Sequence, residues 1–142
     1  SLNFGRGENP LIQISDSTLL NWCKKNPENR YLILADAVPL FENNPKTGHL
    51  TWRKIVYDIL EKVTEIESFL DKLRRSIRPM NWSGSLARIL QSRLILFEEL
   101  SNLENQTISD WAKKQNLSIQ KEIDSRYESE DLRNRDIDES FE

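Results

Sequence analysis

The sequence predicts an all-α chain of about six helices, arranged as three stacked antiparallel hairpins with a long charged helix at the C-terminal end. Three observations lead there. Apolar residues recur at spacings of three and four through most of the chain, the pattern of amphipathic helices. Strand signal is poor: only residues 11–14 and 31–34 pass as short strands, and neither has a hairpin partner. Helix starts fall near Ser15, Thr51 and Ser85, a spacing in the mid-thirties that suits repeated helical hairpins.

Residues 1–14 hold Gly5, Gly7 and Pro10 and no helical period, so they read as an extended lead-in or linker. Gly5-Arg6-Gly7 is too short for a phosphate loop, and no Gly-Lys-Ser/Thr follows it. A helical-repeat domain is expected over residues 15–120. Ser15 caps its first helix, with Leu19, Leu20, Trp22 and Cys23 on the apolar side and Lys24 and Lys25 at the C-terminal end. Asn26 is the expected cap of the second helix, with Pro27 at its first position. That helix carries Tyr31, Leu34, Ala35, Val38 and Phe41 inward. Pro39 should kink it or end it early, because proline lacks an N–H and crowds the preceding turn.

Asn43-Asn44-Pro45 and Gly48 mark a loop. Thr51 is the expected cap of a third helix with Trp52, Ile55, Val56, Ile59 and Leu60 as its buried stripe. His49, in the loop before it, reads as a surface residue, since no Cys, His or carboxylate cluster accompanies it. Thr64 and Glu67 have the spacing of a capping box for a fourth helix with Ile66, Phe69, Leu70, Leu73 and Ile77 inside. Its outer face holds Asp71, Lys72, Arg74 and Arg75.

Pro79 should stop this helix near Ser76 or Ile77. Ser83 and Ser85 are cap candidates for the central helix, with Gly84 bending freely between them. Leu86, Ile89, Leu90, Leu94, Phe97 and Leu100 form its stripe, which Ile95 and Leu96 widen. Such breadth suits a helix with neighbours on more than one side. Trp82 is placed to staple the first turn. A polar turn over residues 101–107 leads to a sixth helix starting around Thr107, with Ile108, Trp111, Ala112, Leu117, Ile119 and Ile123 as its apolar positions.

Residues 121–142 read as a charged extension. Glu122/Arg126, Arg126/Glu130 and Asp131/Arg135 have helical pair spacing, while Tyr127, Leu132, Ile137 and Phe141 recur loosely. A long solvated helix fraying toward its end is expected; a disordered acidic tail is the alternative.

The 142 residues suffice for one domain with a real core. The chain begins at Ser1 rather than Met, which suggests a piece excised from something longer. The single Cys23 excludes an internal disulfide framework and fits a reducing compartment, the cytoplasm. No apolar run is long enough to span a bilayer, so no membrane partner is expected. Net charge is −3, unevenly spread. Residues 72–97 carry Lys72, Arg74, Arg75, Arg78, Arg88 and Arg93 and no acid, whereas from Glu98 onward acids outnumber bases about two to one.

No catalytic constellation, metal-ligand spacing or cofactor motif is present, so the chain is not expected to be an enzyme or to hold a cofactor. Ser83-Gly84-Ser85 reads as a cap, since the pattern is not that of a nucleophile elbow. Two binding classes remain. The first is a helical interaction or scaffold module for a protein partner or other parts of a parent protein, with Trp22, Trp52, Trp82 and Trp111 as candidate anchors. At least two of these tryptophans should be largely buried. The second is phosphate-backbone binding of nucleic acid through Lys72, Arg74, Arg75, Arg78, Arg88 and Arg93.

The stretch LSNLENQTISDWAKKQNL, residues 100–117, resembles half of a HEAT-type repeat: a leucine-rich helix end, a polar turn, then an apolar residue, Trp and Ala entering the next helix. The resemblance covers the last hairpin, and the earlier two only in period. The run RPMNWSGS at 78–85, with the ending DESFE at 138–142, resembles the C-terminal segment of large, mostly uncharacterised bacterial multidomain proteins, some with NTPase or defence-type modules upstream. That resemblance implies a helical-repeat end of a larger bacterial protein, and it carries no catalytic residue over.

Overall fold

The computed structural model describes residues 14–140, with side chains described as far as Arg133. Those residues form six helices and one two-stranded sheet, so the chain is all-α apart from a short hairpin. The described residues fall into two compact units, one of residues 14–43 with 52–76, the other of 44–51 with 77–140.

In the first unit, α1 spans Asp16–Lys24. The Ser15 hydroxyl accepts from the Thr18 amide at 3.3 Å, the expected cap, which satisfies one of the four orphan donors of the first turn. Leu19, Leu20 and Cys23 are buried, whereas Trp22 turns outward. α2 spans Arg30–Ala37, starting later than Asn26-Pro27 suggests. The Asn26 carbonyl accepts from the amides of Asn29 and Arg30, a turn that spends the residues expected to be the first helical turn, and Asn29 becomes the cap. Residues 31–34 are helical, not a strand. The helix ends where Pro39 demands: Val38 is extended, φ −115° and ψ 152°, because proline excludes the helical region for the residue before it.

β1, Phe41–Asn43, pairs with β2, Leu50–Trp52, a hairpin the sequence pattern did not suggest. Its tip is closed by the Asn44 amide donating to the His49 carbonyl and the Gly48 amide to the Asn44 carbonyl, both at 2.8 Å. Gly48 takes φ 74°, where a side chain would be strained. Trp52 is buried and meets Phe41 edge-on, ring centroids 6.0 Å apart. Thr51 and Trp52 are therefore strand residues rather than the cap and first turn of a helix. Both residue types favour strands.

α3, Lys54–Lys62, starts from Arg53 and buries Ile55, Val56, Ile59 and Leu60 as expected. α4, Ile66–Ser76, buries Phe69, Leu70 and Leu73. Its start at Ile66 makes Glu67 the second helical residue, not the third that a Thr64 capping box requires. Within this unit α1 packs on α2 and α3, and α2 packs on α4. The Cys23 thiol is fully buried, and burial raises its pKa to about 11.

In the second unit, α5 spans Leu86–Ser101 and α6 spans Gln106–Ser140. Ser85 caps α5, its hydroxyl accepting from the Arg88 amide at 3.2 Å, with Gly84 at φ 78° just before it. Leu86, Ala87, Leu90, Leu96, Phe97 and Leu100 are buried, a broad apolar surface on one helix. Asn105 caps α6, its side-chain oxygen accepting from the Ile108 amide at 3.1 Å, so Thr107 lies inside the helix. Ile108, Ala112, Ile119 and Ile123 face α5 or the core, while Leu117 is exposed. Half-buried Trp111 meets Phe97 edge-on, centroids 5.7 Å apart. α6 has 35 residues without a break at 121, about 52 Å of helix at 1.5 Å per residue. The expected Asp131/Arg135 pair, Ile137 and Phe141 lie outside the described side chains. No helix among the described residues is long and apolar enough to cross a membrane.

Candidate interaction site

The connection between α4 and α5, residues 77–85, is tethered at both of its ends. Ile77 is fully buried just past the end of α4. Its carbonyl accepts from the part-buried Arg93 guanidinium, one of the orphan acceptors a helix end leaves. Burial lowers the Arg93 pKa. Arg78 donates to both carboxylate oxygens of Glu122, Nη1 to Oε2 at 2.9 Å. Glu122 also accepts from Arg126 at 3.0 Å. The Arg78 hydrogen bond comes first in bringing the Glu122 pKa down to about 2, and it raises that of Arg78. At the other end of the loop, the Ser85 hydroxyl donates to Glu130 at 2.8 Å. The Tyr127 hydroxyl donates to Gln91 at 2.8 Å between these anchor points.

Between its tethers the loop presents apolar side chains to solvent. Met80 is 94% exposed and Trp82 51% exposed. The structure thus sets Trp82 outward rather than as a staple on α5. The Trp82 ring, with two side-chain torsions, loses less conformational freedom on binding than the long flexible Met80 chain, and tryptophan is the residue type that most often anchors an interface.

The four tryptophans part company. Trp52 is buried core, Trp111 is half-buried against Phe97, Trp82 stands out, and Trp22 is 40% exposed. Two of the four, Trp52 and Trp111, are thus largely covered, and two are exposed. Arg30 covers the Trp22 ring at 4.6 Å and donates to the Trp22 carbonyl at 2.9 Å, so that face already has an intramolecular cation partner.

The six basic residues divide between the units, Lys72, Arg74 and Arg75 in the first and Arg78, Arg88 and Arg93 in the second. Lys72 pairs with Asp36 at 2.6 Å. Asp71 accepts from Arg74 and Arg75, and the Arg74 hydrogen bond is the first cause of its lowered pKa. Arg78 pairs with Glu122, Arg93 serves the Ile77 carbonyl, and the Arg88 side chain is exposed. The acid-free look of this segment in sequence is thus offset in space by Asp36 and Glu122.

The second unit also holds an open pocket of about 300 Å³ between the hairpin tip and α5. Leu50 and Ile95 supply apolar wall; Asn44, Thr47, His49, Thr51, Glu98, Glu99 and Asn102 supply polar atoms. The Thr51 hydroxyl donates to Glu99 at 2.6 Å. Among the described residues no group of three or more His, Cys, Asp or Glu is placed to hold a metal ion. Sequence reasoning missed Met80 and this pocket. Met80 had a usable signal, an apolar residue after a proline in a loop; the pocket had none, because the hairpin that forms it was not foreseen.

No family model matches this chain. Comparison with curated proteins and with solved structures likewise finds no match.

Proposed function

We propose that this chain is a non-catalytic helical-repeat interaction module, HEAT-like in character. In this reading it is the scaffold end of a larger cytoplasmic bacterial protein, binding a protein partner or another part of its parent. The observation that carries this reading is the tethered loop 77–85, with Met80 and Trp82 exposed between ties to Arg93, Glu122 and Glu130. Folding leaves two large apolar groups in water on a loop held at its two ends. The buried Cys23 fits a reducing compartment. Phosphate-backbone binding through residues 72–93 has less support, because Lys72, Arg74, Arg75 and Arg78 are engaged by carboxylates.

The test is capture of partners by the wild-type chain and by a Met80→Ser, Trp82→Ser variant. A partner held by the wild type should bind the variant about thirtyfold or more weakly, the loss of a hot spot, with far-UV circular dichroism unchanged. A partner bound equally by both would remove the loop from the interface.

A further inference from the structure

We infer that Met80 is a reversible oxidation site, which takes one oxygen atom from a peroxide and so turns the tip of the loop 77–85 from apolar to polar. The site itself rests on accessibility and sulfur chemistry; its consequence for binding rests on the interaction-module reading. The chain has two sulfur atoms, those of Met80 and Cys23, and the fold treats them oppositely. Met80 is 94% exposed and Cys23 is 0% exposed. A peroxide reacts with a thioether through the sulfur lone pair, with no proton to remove first, so access decides the rate. A thiol reacts as its thiolate. Burial pushes the Cys23 thiol up from 9.0 to about 11, which leaves about a hundredfold less thiolate at neutral pH, and the packed core shuts out the reagent as well. Oxidation of the folded chain is thereby directed to one atom. That atom lies on the loop held by Arg93, Glu122 and Glu130, two residues before exposed Trp82.

The step balances with the peroxide alone. The Met80 sulfur gives a lone pair to one peroxide oxygen, and the S–O bond forms as the O–O bond breaks. The departing oxygen takes up the proton of the transferred hydroxyl and leaves as water. Sulfur loses two electrons and the peroxide gains them. A methionine sulfoxide reductase runs the restoring reaction: a dithiol supplies two electrons and the oxygen leaves as water. The sulfoxide is a polar acceptor where the thioether was apolar. A partner that covers Met80 must strip water from that oxygen, which weakens binding about tenfold where no donor meets it. A covered sulfur is out of reach, so oxidation acts on the free chain and keeps it free. The fold loses nothing, because Met80 buries almost no surface.

The test treats the folded full chain with hydrogen peroxide and follows its mass. The chain should gain one oxygen atom, placed at Met80 by peptide fragmentation, within about threefold of the rate for N-acetylmethionine amide. Cys23 should keep its free thiol until the chain is unfolded. A methionine sulfoxide reductase with dithiothreitol should remove the oxygen. The oxidised chain should leave a phenyl column earlier than the untreated one, with an unchanged thermal midpoint. Met80→Gln should match the oxidised chain, and Met80→Leu should take up no oxygen and hold its position after peroxide. Trp82→Ser should oxidise at the wild-type rate. Failure of the loop as a binding surface, seen as equal capture by the Met80→Ser, Trp82→Ser variant, is therefore separable from failure of the oxidation site. Oxidation of Cys23 ahead of Met80, a Met80 rate more than about tenfold below the free derivative, a sulfoxide that the reductase leaves in place, a fall in thermal midpoint, or unchanged retention on the phenyl column would overturn the inference.

Discussion

Arg78 and Glu122, 44 residues apart in sequence, are joined by two hydrogen bonds, one to each carboxylate oxygen. The pair fastens the start of the exposed loop to the middle of α6. Its effect on stability has a definite pH sign. Glu122 titrates at about 2 in the folded chain and at about 4.3 when unfolded. A depressed carboxylate pKa means that the folded state binds the proton less readily. The stabilisation is therefore complete above the unfolded value and is lost as pH falls from about 5 toward 2. Because Arg78 is more than a third exposed, screening reduces the contribution to about 1 kcal/mol. Arg78→Gln should lower the thermal midpoint at pH 7 and flatten its fall over that acid range, followed by circular dichroism. An unchanged acid slope would mean the pair is solvent-separated.

Trp52 and Trp82 should behave oppositely. Trp52 is buried against Phe41, so Trp52→Ala should cost about 3–5 kcal/mol, the value for a large aromatic lost from a core. Trp82→Ala should stay within about 0.5 kcal/mol, as exposed substitutions do. Urea denaturation of the two variants beside the wild type measures both. A large loss for Trp82→Ala would show that its ring packs after all.

Gly84 offers a cleaner backbone test. At φ 78° with nothing within 4 Å of an added Cβ, Gly84→Ala meets no steric neighbour. The whole cost is conformational, about 1–2 kcal/mol, and Gly84→Asn should recover part of it because Asn tolerates this region. Equal stability of all three chains would mean that the turn relaxes to another shape.

How much of this was legible beforehand depends on the distance over which the deciding contact acts. Ser15 and Ser85 cap the helices they precede, and Pro39 ends α2 through its own neighbour. Such effects reach four residues or fewer, and the sequence carries them openly. The hairpin was hidden because three-residue strands are too short to show alternation, and Phe41 and Trp52 happen to fall at helical spacing from the apolar residues beside them. The basic segment misled in a related way. Asp36 lies 36 residues before Lys72, and Glu122 lies 44 after Arg78, so no local count of charge finds either partner. Of the candidate anchors, the apolar character of the tryptophans was plain, but which of them face water depends on packing that no local pattern records.

The unbroken length of α6 also sets an order of events in folding. The Ser109 hydroxyl reaches the Ser101 carbonyl across eight residues at the α5–α6 turn, whereas Arg78 reaches Glu122 across 44. Closing the longer loop directly costs roughly 1.5 kcal/mol more chain entropy, so the two helices should zip outward from the turn and engage Arg78 last. The ion pair is then a late latch, absent from the transition state. Arg78→Gln should quicken unfolding and leave the refolding rate nearly untouched, a split that stopped-flow chevrons resolve. The loop that carries Met80 and Trp82 would accordingly be the last surface to take shape and the first to be released.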